Sequence, residues 1–159
     1  MTTRHSDLSL IVIRLLVDSQ RCHLLIRDQT WDDWSLVGGH VEPDERNDWA
    51  RAARRECQEE IAALVSDEDF VLLPQLEQPM RWGPVPSRSA GGAPTTYRAQ
   101  VFLLRFLRSP RLAGLPASEF RLVPEAELTS NLVARIVAVI PAMPLSWDAA
   151  VPKLPESFA

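Results

Sequence analysis

Three glutamates, Glu56, Glu59 and Glu60, carry the chemistry that is most legible in this chain. On a helix they stand in the i, i+3, i+4 relation and share one face. Like charges so placed repel by about 0.2–0.5 kcal/mol per pair. They also fall in the C-terminal half of the helix, where the macrodipole disfavours negative charge. A cation relieves both costs, and clustered carboxylate oxygens suit hard ions such as Mg²⁺ or Mn²⁺. Upstream lies Gly38-Gly39, where backbone can approach a metal or a phosphate with no Cβ in the way. Strand, double-glycine bend and acidic helix together predict a pocket for a metal-bridged diphosphate. The trio alone would equally suit a solvated helix face. The conjunction with Gly38-Gly39, Glu45 and Arg55 is what points to a site.

The elements that position these residues follow from hydrophobic period. Leu8 to Val17 is rich in Ile, Val and Leu and predicts a strand buried for most of its length. After a turn at 18–21, His23 to Arg27 predicts its hairpin partner. Trp34 to Val37 predicts a short strand ending at Gly38-Gly39, followed by a polar loop over 40–47. From about Asp48 to Leu64 the period becomes helical. Trp49, Ala53, Cys57 and Leu64 form the apolar stripe, with Asn47 or Asp48 as N-cap. Phe70 to Leu73 predicts a strand. Residues 74–94, rich in proline and glycine, predict a long loop or lid. Thr95 to Leu107 predicts a long strand and Glu119 to Val123 a short one. A late helix is expected over 125–139, and an irregular proline-rich tail from Pro141. The fold class expected is α/β, a mixed sheet sandwiched between helices, with one domain over 1–140 and a tail over 141–159 that docks or stays irregular.

Composition narrows the function. The chain has 159 residues, with 17 Lys and Arg against 21 Asp and Glu and a net charge of −4. No basic block is present, so nucleic-acid binding is not expected. The apolar run 8–17 is too short to span a bilayer and contains Arg14, so no membrane partner is expected and a cytoplasmic location is. Cys22 and Cys57 lie far apart without metal or redox spacing. Cys57 on the apolar stripe reads as a small core residue rather than a nucleophile.

Gly39, five residues, Glu45, and then Arg55-Glu56-Cys57-Gln58-Glu59-Glu60 resemble the signature of the Nudix hydrolase family. That signature runs Gly, five residues, Glu, seven residues, Arg-Glu, an aliphatic, any residue, Glu-Glu, any residue, Gly and an aliphatic. Here nine residues separate Glu45 from Arg55, Ala62 replaces the late glycine, and Val37 stands where a proline commonly precedes the glycine pair. The spacing of the three helix carboxylates is untouched. The resemblance implies the Nudix fold and a metal-dependent hydrolase of a nucleoside diphosphate linked to another moiety. Glu56, Glu59, Glu60 and the Gly38 carbonyl would hold Mg²⁺, or Mn²⁺ in its place, with Glu119 as a further carboxylate. Glu56 or Glu59 would be the catalytic base, and Glu45 and Arg55 would brace loop against helix. Arg81, Trp82 and Tyr97 are candidates to meet a nucleotide-like small-molecule substrate by stacking and charge. Homodimerisation is common in the family and compatible with the apolar strands. The alternative is a Nudix-fold domain that senses a nucleotide or binds a partner without hydrolysis.

Overall fold

A computed structural model describes residues 3–28, 32–110, 112, 114–128 and 153–154. Its organising element is β1 (Arg4–Val17), whose central stretch from Ser9 to Leu15 is buried on both faces. Ile11, Ile13 and Leu15 join one core cluster, and Leu10 and Val12 join another on the opposite face. This is the pattern of a strand with neighbours on both sides and cover above and below.

A two-residue turn at Asp18–Ser19, both with positive φ, leads into β2 (Gln20–Asp28). That conformation matches the right-handed twist of a hairpin. β2 pairs antiparallel with β1 only over Arg14–Val17, then diverges to pair with β3 (Asp33–Ser35) and β8 (Phe120–Pro124). The edge of β1 that β2 leaves is taken up by β4 (Val37–His40), antiparallel over Leu8–Ile11. Gly38 and Gly39 therefore lie inside a strand, not at the end of one, and the predicted 34–37 strand is two strands broken at Leu36. On the other edge of β1 runs β7 (Ala93–Phe106), parallel over Arg4–Ile13. β5 (Phe70–Pro74) and β6 (Met80–Ser87) share the far edge of β7, both antiparallel. β9 (Lys153–Leu154) pairs with Leu16–Val17 of β1.

β6 corrects the sequence reading, which made 74–94 a loop or lid. Proline removes a ladder donor, so it is confined to edge strands and bulges. β6 is such an edge, and its register slips between Trp82 and Val85, where Gly83 and Pro84 stand.

Among the described residues, helix α1 (Trp49–Glu60) covers the Ile11 face. The Asp48 carboxylate caps it, accepting from the Arg51 N–H at 2.9 Å. Ala53 and Cys57 are fully buried against the sheet. The helix stops at Glu60, short of the expected Leu64. Ile61 leaves helical φ/ψ while its N–H still donates to the Cys57 carbonyl, and both Ile61 and Leu64 are buried beneath the turn that follows. The architecture is α/β, a mixed sheet with α1 packed on one face. Of the late helix expected over 125–139, the structure describes a 3-10 turn at Glu125–Glu127 and the buried Leu128. Positions 129–139 and most of the tail lie outside the described residues. Among the described residues no helix is long and apolar enough to cross a membrane.

Candidate active site

The site is organised around the Arg55 guanidinium, which α1 presents toward the loop after β4. Its Nε donates to Glu45 Oε1 at 2.9 Å and its Nη2 to Glu45 Oε2 at 3.0 Å, a two-pronged pairing. Nη2 also donates to the His40 carbonyl at 2.9 Å. Nη1 reaches the other way, to Glu56 Oε1 at 2.8 Å and Glu59 Oε2 at 3.1 Å. Glu45 ends a 3-10 turn (Pro43–Glu45) and is 2% exposed, and it accepts a further bond from the Glu42 N–H. The hydrogen bonds from Arg55 hold the Glu45 carboxyl below its ordinary pKa against the opposing effect of burial, and Glu45 in turn raises that of Arg55. The two extra residues between Glu45 and Arg55 do not prevent the pairing. A turn at Arg46–Asn47, with Asn47 at φ 72, carries the chain into α1.

Glu60 stands at the split where β2 leaves β1 and β4 takes its place. There the Gly38 N–H donates to Glu60 Oε2 at 2.9 Å. Burial pushes the Glu60 carboxyl up to about 7, with the charges of Glu56, Glu59 and Asp28 acting in the same direction. Burial likewise raises Glu56, more than the Arg55 hydrogen bond lowers it. Glu59 is 58% exposed at the mouth of the group. Beside it, an open cavity of about 590 Å³ runs along the outer side of α1, lined by Arg51, Arg54, Glu45 and Asp67 among others.

The two glycines differ in what they permit. A Cβ on Gly39 would lie 2.5 Å from Glu56 Oε1, so the missing side chain makes room for that carboxylate against β4. Gly38 has φ 135, and a Cβ there would lie 2.1 Å from the Ser9 carbonyl oxygen. Gly38 is required by the backbone and Gly39 by the site.

Sequence reasoning brought Glu45, Arg55, Glu56, Glu59, Glu60 and Gly38 together, and the structure places them in one group. Glu119 is not in it. Its carbonyl accepts from the Arg27 N–H, and it lines a separate cavity with Arg27, Asp32 and Ser118. Arg81 and Trp82 are neighbours on β6, so they face opposite sides of the sheet. Arg81 stands opposite Arg98 in the ladder, whereas Trp82 packs on the cluster away from α1 and stacks on Tyr97. Two contributions were missed. Asp28 ends β2 close enough to act on Glu60, and the acidic stretch 28–33 was the available signal. His40 lends its carbonyl to Arg55, and nothing in its side chain announces that. The Cys57 thiol is pushed up to about 12 by burial, in keeping with a core role.

Among the described residues no three carboxylate, imidazole or thiolate groups converge as a ready-made ligand set. Glu56 and Glu59 lean on Arg55, and Glu60 on Gly38. The donors nonetheless suit a hard divalent ion in kind: carboxylates on adjacent turns of one helix, one of them half-buried among like charges, beside a strand that carries no Cβ at Gly38 and Gly39.

The model of the NUDIX domain matches residues 6–140, and the chain belongs to the Nudix family. No curated protein sequence matches it. Among solved structures it is similar to a mutT/nudix family protein from Listeria innocua, at 20% identity and a TM-score of 0.57, covering 90% of this chain and 92% of that one. It is similar also to NrtR from Shewanella oneidensis, at 17% identity and 0.60, covering 87% of this chain and 61% of that longer one. A third is the Ap4A hydrolase of C. elegans, at 19% identity and 0.52, covering 87% and 89%. At these identities the likeness is one of fold.

Proposed function

We propose that the chain is a divalent-metal-dependent hydrolase of nucleoside diphosphates linked to a further group, cleaving the diphosphate by attack of water. The single observation that carries this reading is the Arg55 network. One guanidinium joins the buried Glu45 to Glu56 and Glu59, while Glu60 is anchored on the strand edge one turn away. Glu56, Glu59 and Glu60 would hold Mg²⁺ or Mn²⁺, with the Gly38 carbonyl adding an oxygen. Glu119 is left out on its placement. Such an ion would neutralise the diphosphate and make a neighbouring water more acidic. Arg55 and Glu45 fix the loop over the helix and so the positions of the glutamates. Glu56 or Glu59 takes the proton of the attacking water. Gly39 lets the diphosphate and Glu56 come close to β4.

The test is product release from a panel of nucleoside diphosphate sugars, dinucleoside polyphosphates and nucleoside triphosphates with Mg²⁺ or Mn²⁺. Turnover of at least one member is expected, with a loss of about 100-fold or more in Glu59→Gln and Glu60→Gln while circular dichroism stays unchanged. Inactivity across the panel from neutral to alkaline pH overturns the reading. It would favour the second one, a nucleotide-binding domain without turnover. That reading requires thermal stabilisation by a nucleotide and no product.

A further inference from the structure

The carbonyl and the ring of His40 point to different places, and each is bonded. The Val41 N–H donates to the Asp7 carbonyl at 2.9 Å, so the polar groups of Val41 face β1. Backbone groups alternate in direction along an antiparallel strand, and the His40 carbonyl therefore points away from β1. There it accepts from Arg55 Nη2 at 2.9 Å. The ring lies on the face of the sheet opposite to α1, because side chains alternate and Gly39 is the residue that faces Glu56. On that face His40 Nδ1 hydrogen-bonds the Ser6 hydroxyl of β1 at 2.8 Å. Ser6 is buried and stands two residues from Leu8, the ladder partner of His40. One residue thus carries a connection from the interior of β1, around the end of the β1–β4 ladder, to the guanidinium at the centre of the site.

Arg55 Nη2 is shared between Glu45 and the His40 carbonyl, and Nη1 between Glu56 and Glu59. A guanidinium is planar and rigid, so a shift at one end is felt at the other. Glu45 belongs to a 3-10 turn, and Glu56 and Glu59 to α1 itself. Of these acceptors the His40 carbonyl is the one that belongs to the sheet. We propose that His40 is a positioning residue: its ring, tied to Ser6, fixes its carbonyl, which sets the plane of Arg55 and through it the carboxylates of Glu56 and Glu59. In this role His40 touches neither ion nor substrate. Ser6 needs no access to solvent, and its burial holds the hydroxyl in place. The proposal rests on the hydrolase reading for what Glu56 and Glu59 do, and not for the clamp itself.

Exchange of the Arg55 Nε–H with solvent, followed by NMR and assigned by the loss of its signal in Arg55→Lys, reads the clamp without turnover. His40→Ala and Ser6→Ala are each expected to speed that exchange about three- to tenfold, the scale of one lost hydrogen bond. His40→Asn, whose amide puts a polar atom where Nδ1 stands, is expected to keep the slow rate. His40→Ala combined with Ser6→Ala should exchange no faster than either alone, because the two residues make one contact. On a substrate that is turned over, kcat should fall about tenfold or more in both alanine variants with KM little changed, and recover in His40→Asn. Unaltered exchange in both alanine variants overturns the clamp. Faster exchange with unchanged kcat overturns the positioning role, as does a fall in kcat that His40→Asn shares. His40 is exposed, so its two variants carry the comparison even if Ser6→Ala fails to fold. Faster exchange in a protein that turns over nothing on the panel keeps the clamp and removes the hydrolase. Unaltered exchange beside intact turnover does the reverse.

Discussion

The Glu45 side of α1 and its Glu60 side hold the same kind of charge under opposite conditions. Glu45 is almost wholly buried, yet its carboxylate is gripped by two guanidinium nitrogens and a backbone N–H, and its pKa is lowered. Glu60 is half-buried, but one backbone N–H faces it against three negative neighbours, and its pKa is raised to about 7. The first arrangement is complete in the protein itself and holds the loop on the helix. The second is favourable only when something positive arrives. Structural and functional carboxylates are told apart here by whether the chain supplies their counter-charge.

The contrast is broken most strongly at Arg55. Arg55→Ala leaves Glu45 charged, buried and without its partner, a loss of about 3–5 kcal/mol on the scale of broken buried pairs, read by urea denaturation. Glu45 and Glu60 also give opposite pH dependences. The lowered pKa of Glu45 contributes stability above about pH 4.5 that is lost as pH falls through its folded value. The raised pKa of Glu60 works the other way. Without divalent ions, stability should fall as pH rises from about 4.5 to 7, by up to about 3 kcal/mol. Buried His23, lowered to about 4 by burial and then by Arg14, adds a slope of the opposite sign between about pH 4 and 6.5. Subtracting the profile of Glu60→Gln from that of the unaltered protein removes the His23 contribution and leaves that of Glu60 together with its coupling to Glu56 and Glu59.

The smallest effects come from the glycine pair, and they sharpen the comparison. Gly38→Ala forces a side chain onto φ 135 and into the Ser9 carbonyl, a cost of about 1–3 kcal/mol. Gly39→Ala meets only the flexible end of Glu56, so its cost by thermal denaturation should be below about 1 kcal/mol. Its effect belongs instead in turnover, because the Glu56 carboxylate is displaced.

Much of this was legible in the residues, and the exceptions have physical causes. β1, β2, α1 and β7 announce themselves because burial imposes a period on the side chains. β6 does not, because an edge strand with a bulge accepts the prolines and glycines that elsewhere signal a loop. The acidic face of α1 is local in sequence, three residues within one turn and a half, so spacing alone gathered it. Asp28 reaches Glu60 only because β2 diverges from β1 midway, and no local pattern encodes that divergence. Glu119 was placed by the family resemblance, and the chain just before β8 sets it beside Arg27 instead. The opposite facing of Arg81 and Trp82 follows from strand pleating, which could be applied only once β6 was known to be a strand.

The central claim is that Glu56, Glu59 and Glu60 hold a divalent ion, and Mn²⁺ titration followed by the electron paramagnetic resonance of the free ion tests it most directly. In the presence of a non-hydrolysable methylene diphosphate nucleotide, the unaltered protein should remove free Mn²⁺ saturably. Glu60→Gln and Glu56→Gln should each weaken that binding by about tenfold or more. No uptake by the unaltered protein, or the same uptake by both variants, would contradict the account.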